Sequence, residues 1–128
     1  MKILKVLGQR LFLVALLTMG VITTGLASTP VTRDDGVTVI HLDEYGGYFS
    51  AKETLASLKK GTYEFVVTNK SDKLVGFQIQ GIKEKKNLDM FPLEPGETRI
   101  SKVKVGKDGV RFRCPINPTP WYDLDVIN

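Results

Sequence analysis

Residues 62–69, TYEFVVTN, decide the fold class of this chain. Tyr63, Phe65 and Val67 fall on one face while Glu64 and Thr68 fall on the other, the period of two expected of a strand with one buried side. Outward from it the same signal recurs. Residues 70–73 form a polar turn, and in 74–80 (LVGFQIQ) Val75, Phe77 and Ile79 again alternate. In 110–114 (VRFRC) Val110, Phe112 and Cys114 point one way and Arg111 and Arg113 the other. Tyr122, Leu124 and Val126 alternate with Asp123 and Asp125 in the last strand.

The connecting segments carry turn chemistry. Residues 81–89 read as a charged loop, with Met90 and Phe91 in the loop that follows. Pro95 and Gly96 occupy the centre of a type II turn, and 107–109 (KDG) signals a hairpin. In 98–105 Ile100 is out of phase with Val103 and Val105, which predicts a β-bulge. Upstream, 37–41 (VTVIH) is a short strand and Gly46-Gly47 a break. Residues 50–60 are ambiguous: Ser50 and Glu53 have the spacing of a helix capping box, but Leu55 and Leu58 give only a narrow apolar stripe, so an extended course is preferred. About six to eight short strands separated by turns predict an all-β sandwich.

The N-terminus reads as an export signal. Lys2, Lys5 and Arg10 precede an apolar stretch, and Gly25 and Ala27 supply the small residues of a cleavage site after Ala27, with Ser28 the next best position. An uncleaved membrane anchor is the alternative, although threonines and glycines dilute the apolar zone. The expected organisation is a cleaved signal peptide over 1–27, a flexible lead-in over 28–36 and one domain over 37–128, placed in the periplasm or secreted. Three of the eighteen basic residues precede the cut and all fourteen acids follow it, which brings the mature domain from +4 to near +1. Much of the chain's basicity therefore serves targeting. Lys83, Lys85 and Lys86 lack an aromatic stacking platform, and no nucleic-acid partner is expected.

The order of these pieces resembles the cupredoxin family. The resemblance rests on residues 61–69 (GTYEFVVTN), 75–79 (VGFQI), 93–98 (LEPGET), 109–114 and 122–126 (YDLDV), and it implies a Greek-key sandwich with a copper centre at one end. By that resemblance Val75 stands where a ligand His is usual and Asn117 where the second is. Cys114 matches the family cysteine, and 118–121 (PTPW) replaces the stretch with the usual Met. A count supports the loss independently. Type 1 copper needs two imidazoles and a thiolate, and His41 is the only histidine in the chain.

Two functions from different classes follow. The leading expectation is a non-enzymatic binding or assembly module that meets an unknown protein partner, in a periplasmic or membrane-associated complex, through Asn117, Pro118, Pro120 and Trp121. Three prolines stiffen that loop, and tryptophan is enriched at binding hot spots. The alternative handles copper as Cu(I) through Cys114 with Met90 or His41, either within one chain or pooled across a homo-oligomer. Cys114 also has a plain reading as a small core residue in phase with Val110 and Phe112. No catalytic residues are expected: there is no G-x-S-x-G, no phosphate loop and no paired-carboxylate signature. Asn69-Lys70-Ser71 forms a glycosylation sequon.

Overall fold

The computed structural model describes residues 28–56 and 58–127. The predicted signal peptide over 1–27 lies outside the described residues. Nine strands run in chain order as β1 (Val31–Thr32), β2 (Val37–Tyr45), β3 (Tyr48–Ala51), β4 (Gly61–Asn69), β5 (Val75–Gly81), β6 (Asn87–Leu93), β7 (Thr98–Val105), β8 (Val110–Arg113) and β9 (Tyr122–Leu124). The first sheet has the order β1-β2-β4-β7, with β3 also paired to β2. The second has the order β6-β5-β8-β9. β2 and β4 are parallel and every other named pair is antiparallel.

The alternation seen in the sequence puts one face of each sheet into a shared core. β4 contributes Tyr63, Phe65 and Val67, β5 contributes Val75, Phe77 and Ile79, and β8 contributes Val110 and Phe112. Phe112 joins the layers. Its ring lies 6.4 Å from Phe65 of the first sheet and 5.8 Å from Phe77 of its own. It also meets Phe49 edge-on at 5.0 Å and stacks on Tyr122 at 5.2 Å.

Three expectations need correction. Residues 87–93 form strand β6, where the sequence around Met90 and Phe91 predicts a loop. Pro92 obscures the signal there, and it is tolerated because β6 is an edge strand that pairs only with β5. No bulge interrupts β7. Its pairing with β4 is continuous from Thr98 to Val105, and Ile100 simply faces solvent at 58 % exposure while Ser101 takes the buried phase. The register shift falls instead between Ile79 and Gln80, on the pairing of β5 with β6. The lead-in contributes a strand, since Val31 and Thr32 pair with Val39 and Thr38. Arg33 then reaches Glu64 at 3.0 Å and ties this segment to β4.

Ser50 and Glu53 form no capping box. β1 and β3 share one edge of β2 and leave a gap at His41, whose N–H donates to Glu53 Oε1 at 2.6 Å. The type II turn forms as read, with Glu97 N–H donating to Glu94 C=O at 3.0 Å and Gly96 at φ 79°. Asn69 staples the crossing from the first sheet to the second. Its Nδ2 donates to the carbonyls of Lys73 and Leu93, and its Oδ1 accepts from Ser71 N–H and Oγ–H. The sequon asparagine is thus fully buried with both ends of its amide engaged.

Phe112→Ala is expected to destabilise the domain by about 3–5 kcal/mol in urea unfolding, whereas Ile100→Thr stays within about 0.5 kcal/mol. Equal losses for the two would refute the assignment of Phe112 as the joint between the sheets.

Candidate functional site

β8 ends by delivering Cys114 to the core, with no accessible surface. Its sulfur accepts backbone N–H groups from Gly76 and from Asn117, each at 3.4 Å. The turn that follows is fastened to the tip of the β2–β3 hairpin. Asn117 Nδ2 donates to Gly46 C=O at 2.7 Å, and Thr119 Oγ1 donates to Gly47 C=O at 2.9 Å. Such a contact needs a bare backbone beneath it. A Cβ on Gly47 would stand 3.1 Å from Asn117 O and 3.2 Å from its Nδ2, at a φ of 107°. Gly76 has the matching constraint on the second sheet, where Pro115 packs so closely that an added Cβ would meet its ring at 3.2 Å.

Glu44 lies beneath this closure. It shares the phase of Ile40 and Leu42 along β2, so the strand carries its side chain inward. The residue has no accessible surface, and neither carboxylate oxygen has a hydrogen-bond partner among the described residues. Burial pushes its pKa up from 4.5 to about 7. The Cys114 thiol, close enough to interact with the carboxyl, pulls weakly the other way. A carboxylic acid and a thiol therefore face each other under the loop end. Sequence reasoning missed Glu44, although its step of two from Leu42 is the signal that places it inside.

The other expected ligands do not converge on Cys114. His41 has the opposite phase to Ile40 and Leu42, and its Nδ1 lies 2.7 Å from Glu53 Oε2. Met90 is 54 % exposed on the outer side of β6, while Phe91 points inward. Val75 is packed in the core. The described residues hold no cluster of three or more His, Cys, Asp or Glu side chains.

The outer face of the second sheet is ordered by a different set of contacts. Met90 pairs with Gln78, and Gln78 pairs with Arg113, which makes one row across three strands. Met90, Pro92, Pro115 and Ile116 line a shallow open groove at the loop end. Trp121 continues the row past Arg113. The guanidinium carbons of Arg111 and Arg113 lie 4.1 and 4.2 Å from its ring centre. Both guanidiniums therefore lie within cation–π distance of the one indole. Gln80 Oε1 accepts from Arg111 Nε and Nη2, and Gln78 Oε1 accepts from Arg113 Nε at 3.3 Å. Both glutamines also donate to Asn87 Oδ1. Of the residues expected to form a partner surface, Asn117, Pro118 and Pro120 are exposed and Trp121 is half-buried. No protein-family model matches the chain, and no curated protein matches it in sequence.

Glu44 supplies a pH test. Its folded-state pKa is raised, so between about 4.5 and 7 the native state binds more protons than the unfolded one, and stability falls as pH rises through that window. Glu44→Gln is expected to remove the fall, gaining on the order of 3 kcal/mol over wild type at pH 8 and little at pH 4. Parallel stability–pH curves for the two proteins in urea unfolding would show that Glu44 does not titrate this way.

Proposed function

We propose that the chain is exported to the periplasm or beyond and matures into a cupredoxin-like Greek-key domain. In this reading it acts as a binding or assembly module, not as an enzyme, and works without a type 1 copper centre. The observation that carries the reading is the closure of the loop end by Asn117 and Thr119 on the Gly46-Gly47 tip. By the resemblance, Asn117 occupies a copper-ligand position. A hydrogen-bonded clamp thus braces the loop that a metal would otherwise hold. The same end exposes Ile116 and Met90 beside Pro92 and Pro115, an apolar edge suited to burial against a protein.

A photo-crosslinking side chain introduced at Ile116 tests this in the exporting cell. The expected result is a discrete crosslinked partner that disappears when Met90→Glu is added, with the domain still folded. Absence of any crosslink from Ile116 or from Pro118 would overturn the module reading.

One observation favours a second reading, metal handling at Cys114. Glu44 presents two buried oxygens near the thiol that have no hydrogen-bond partner among the described residues, and a cation would neutralise that pair once both groups are deprotonated. Anaerobic Cu(I) titration against a competing chelator is expected, on this second reading, to show tight uptake that Cys114→Ala abolishes. No uptake by the wild-type domain would remove it.

A further inference from the structure

We propose that the outer face of the second sheet receives an extended acidic segment of a partner protein, with its carboxylate on Arg113 and an apolar side chain in the Met90–Ile116 groove. This rests on the module reading and names the chemistry of the partner.

Charge is the first argument. The three ion pairs among the described residues all lie at the first sheet and engage Arg33 and His41. Arg111 and Arg113 enter none of them. Arg111 has Asp123 opposite it in register on β9, an exposed acid that does not close an ion pair with it. Arg113 faces Trp121 and Gln78, both uncharged. Its Nε is engaged by Gln78 at 3.3 Å, and its two terminal nitrogens form no hydrogen bond with the described residues. Those two nitrogens carry the donors that a carboxylate accepts as a fork.

Rigidity is the second argument. An arginine on a strand surface ordinarily samples many rotamers, and ordering it on binding costs free energy. Here the indole of Trp121 and the amide of Gln78 already hold the guanidinium. Gln78 is in turn held by Asn87 at 2.9 Å. The cation is presented in one place before any partner arrives.

Spacing is the third. Met90, Gln78 and Arg113 form one row across β6, β5 and β8. Adjacent strands are about 4.8 Å apart, so Met90 and Arg113 are separated by roughly 10 Å. An extended segment advances about 3.4 Å per residue. It therefore sets an acidic side chain over Arg113 while the residue two positions away, about 7 Å along on the same face, enters the groove beside Met90 and Ile116. Pro92 on β6 has no N–H to donate, which disfavours strand addition at that edge and leaves side-chain capture across the face.

Trp121 is the only tryptophan in the chain, so its emission reports on this face directly. The probe is a short capped peptide repeating Glu-Ser-Leu-Ser, whose glutamates and leucines share one face when extended, titrated into the mature domain at low salt. The expected result is a saturable change in Trp121 emission that weakens with salt. Its affinity should fall at least about five-fold in Arg113→Gln and remain unchanged in Lys85→Gln, which removes the same charge from a distant loop. The corresponding lysine–leucine peptide is expected to leave the emission unchanged. The proposal is overturned by no response to the acidic peptide up to millimolar concentration, or by equal losses in Arg113→Gln and Lys85→Gln. It is also overturned if phosphatidylglycerol vesicles change the emission where the peptide does not. The Ile116 crosslink separates the two levels. A crosslink that persists in Arg113→Gln refutes the acidic partner and leaves the module standing, whereas loss of all crosslinks from wild type removes the module itself.

Discussion

The inward anchorage of Phe112 is the constraint on which the rest of this molecule depends. A strand sends alternate side chains to opposite faces, so once Phe112 is fixed between Phe65, Phe77 and Phe49 every other position on β8 is decided. Val110 and Cys114 are driven into the core, and Arg111 and Arg113 are driven out. The sealed thiol and the cationic outer face are two consequences of one packing choice. A shift of register by one residue would exchange them, placing two guanidiniums in an aromatic core, and that cost makes the register unambiguous.

Closure of the loop end follows from the same placement. A domain of this size with a single cysteine has no internal disulfide to hold its ends together. The work falls to backbone amides directed at Cys114 Sγ and to two side chains directed at the glycine tip of β2–β3. Burial also shields the thiol from solvent. Glu44 is the local exception, an ionisable group enclosed with no hydrogen-bond partner for either oxygen among the described residues. Natural folds keep few such groups, because leaving them unpaired costs stability, and its position against Cys114 marks the loop end as the place where the fold departs from a simple apolar interior.

The two candidate regions divide the chemistry cleanly. Beneath the loop end lie an acid and a thiol out of reach of solvent. On the outer face lie two arginines, an indole and two glutamines that order one another. His41 belongs to neither, because its imidazole and its own N–H are both taken by Glu53 at the gap between β1 and β3.

The strands β4, β5 and β8 were legible in the sequence because each has one buried and one solvated face, and period two is then written into the residue types. The type II turn and the inward phase of Cys114 were legible for the same local reason. β6 was not, since Pro92 and the neighbouring charges look like loop when it is unknown that this strand lies at a sheet edge. Ile100 misled because a large apolar residue on an exposed face imitates a shift of phase. Glu44 and the clamp of Arg111 and Arg113 on Trp121 were decided only by tertiary structure. Whether a carboxylate is buried, or an indole meets two cations, depends on segments distant in the chain meeting in space. By itself the sequence determined which residues of each strand turn inward; the packing of the two sheets determined what those residues, and their outward neighbours, meet.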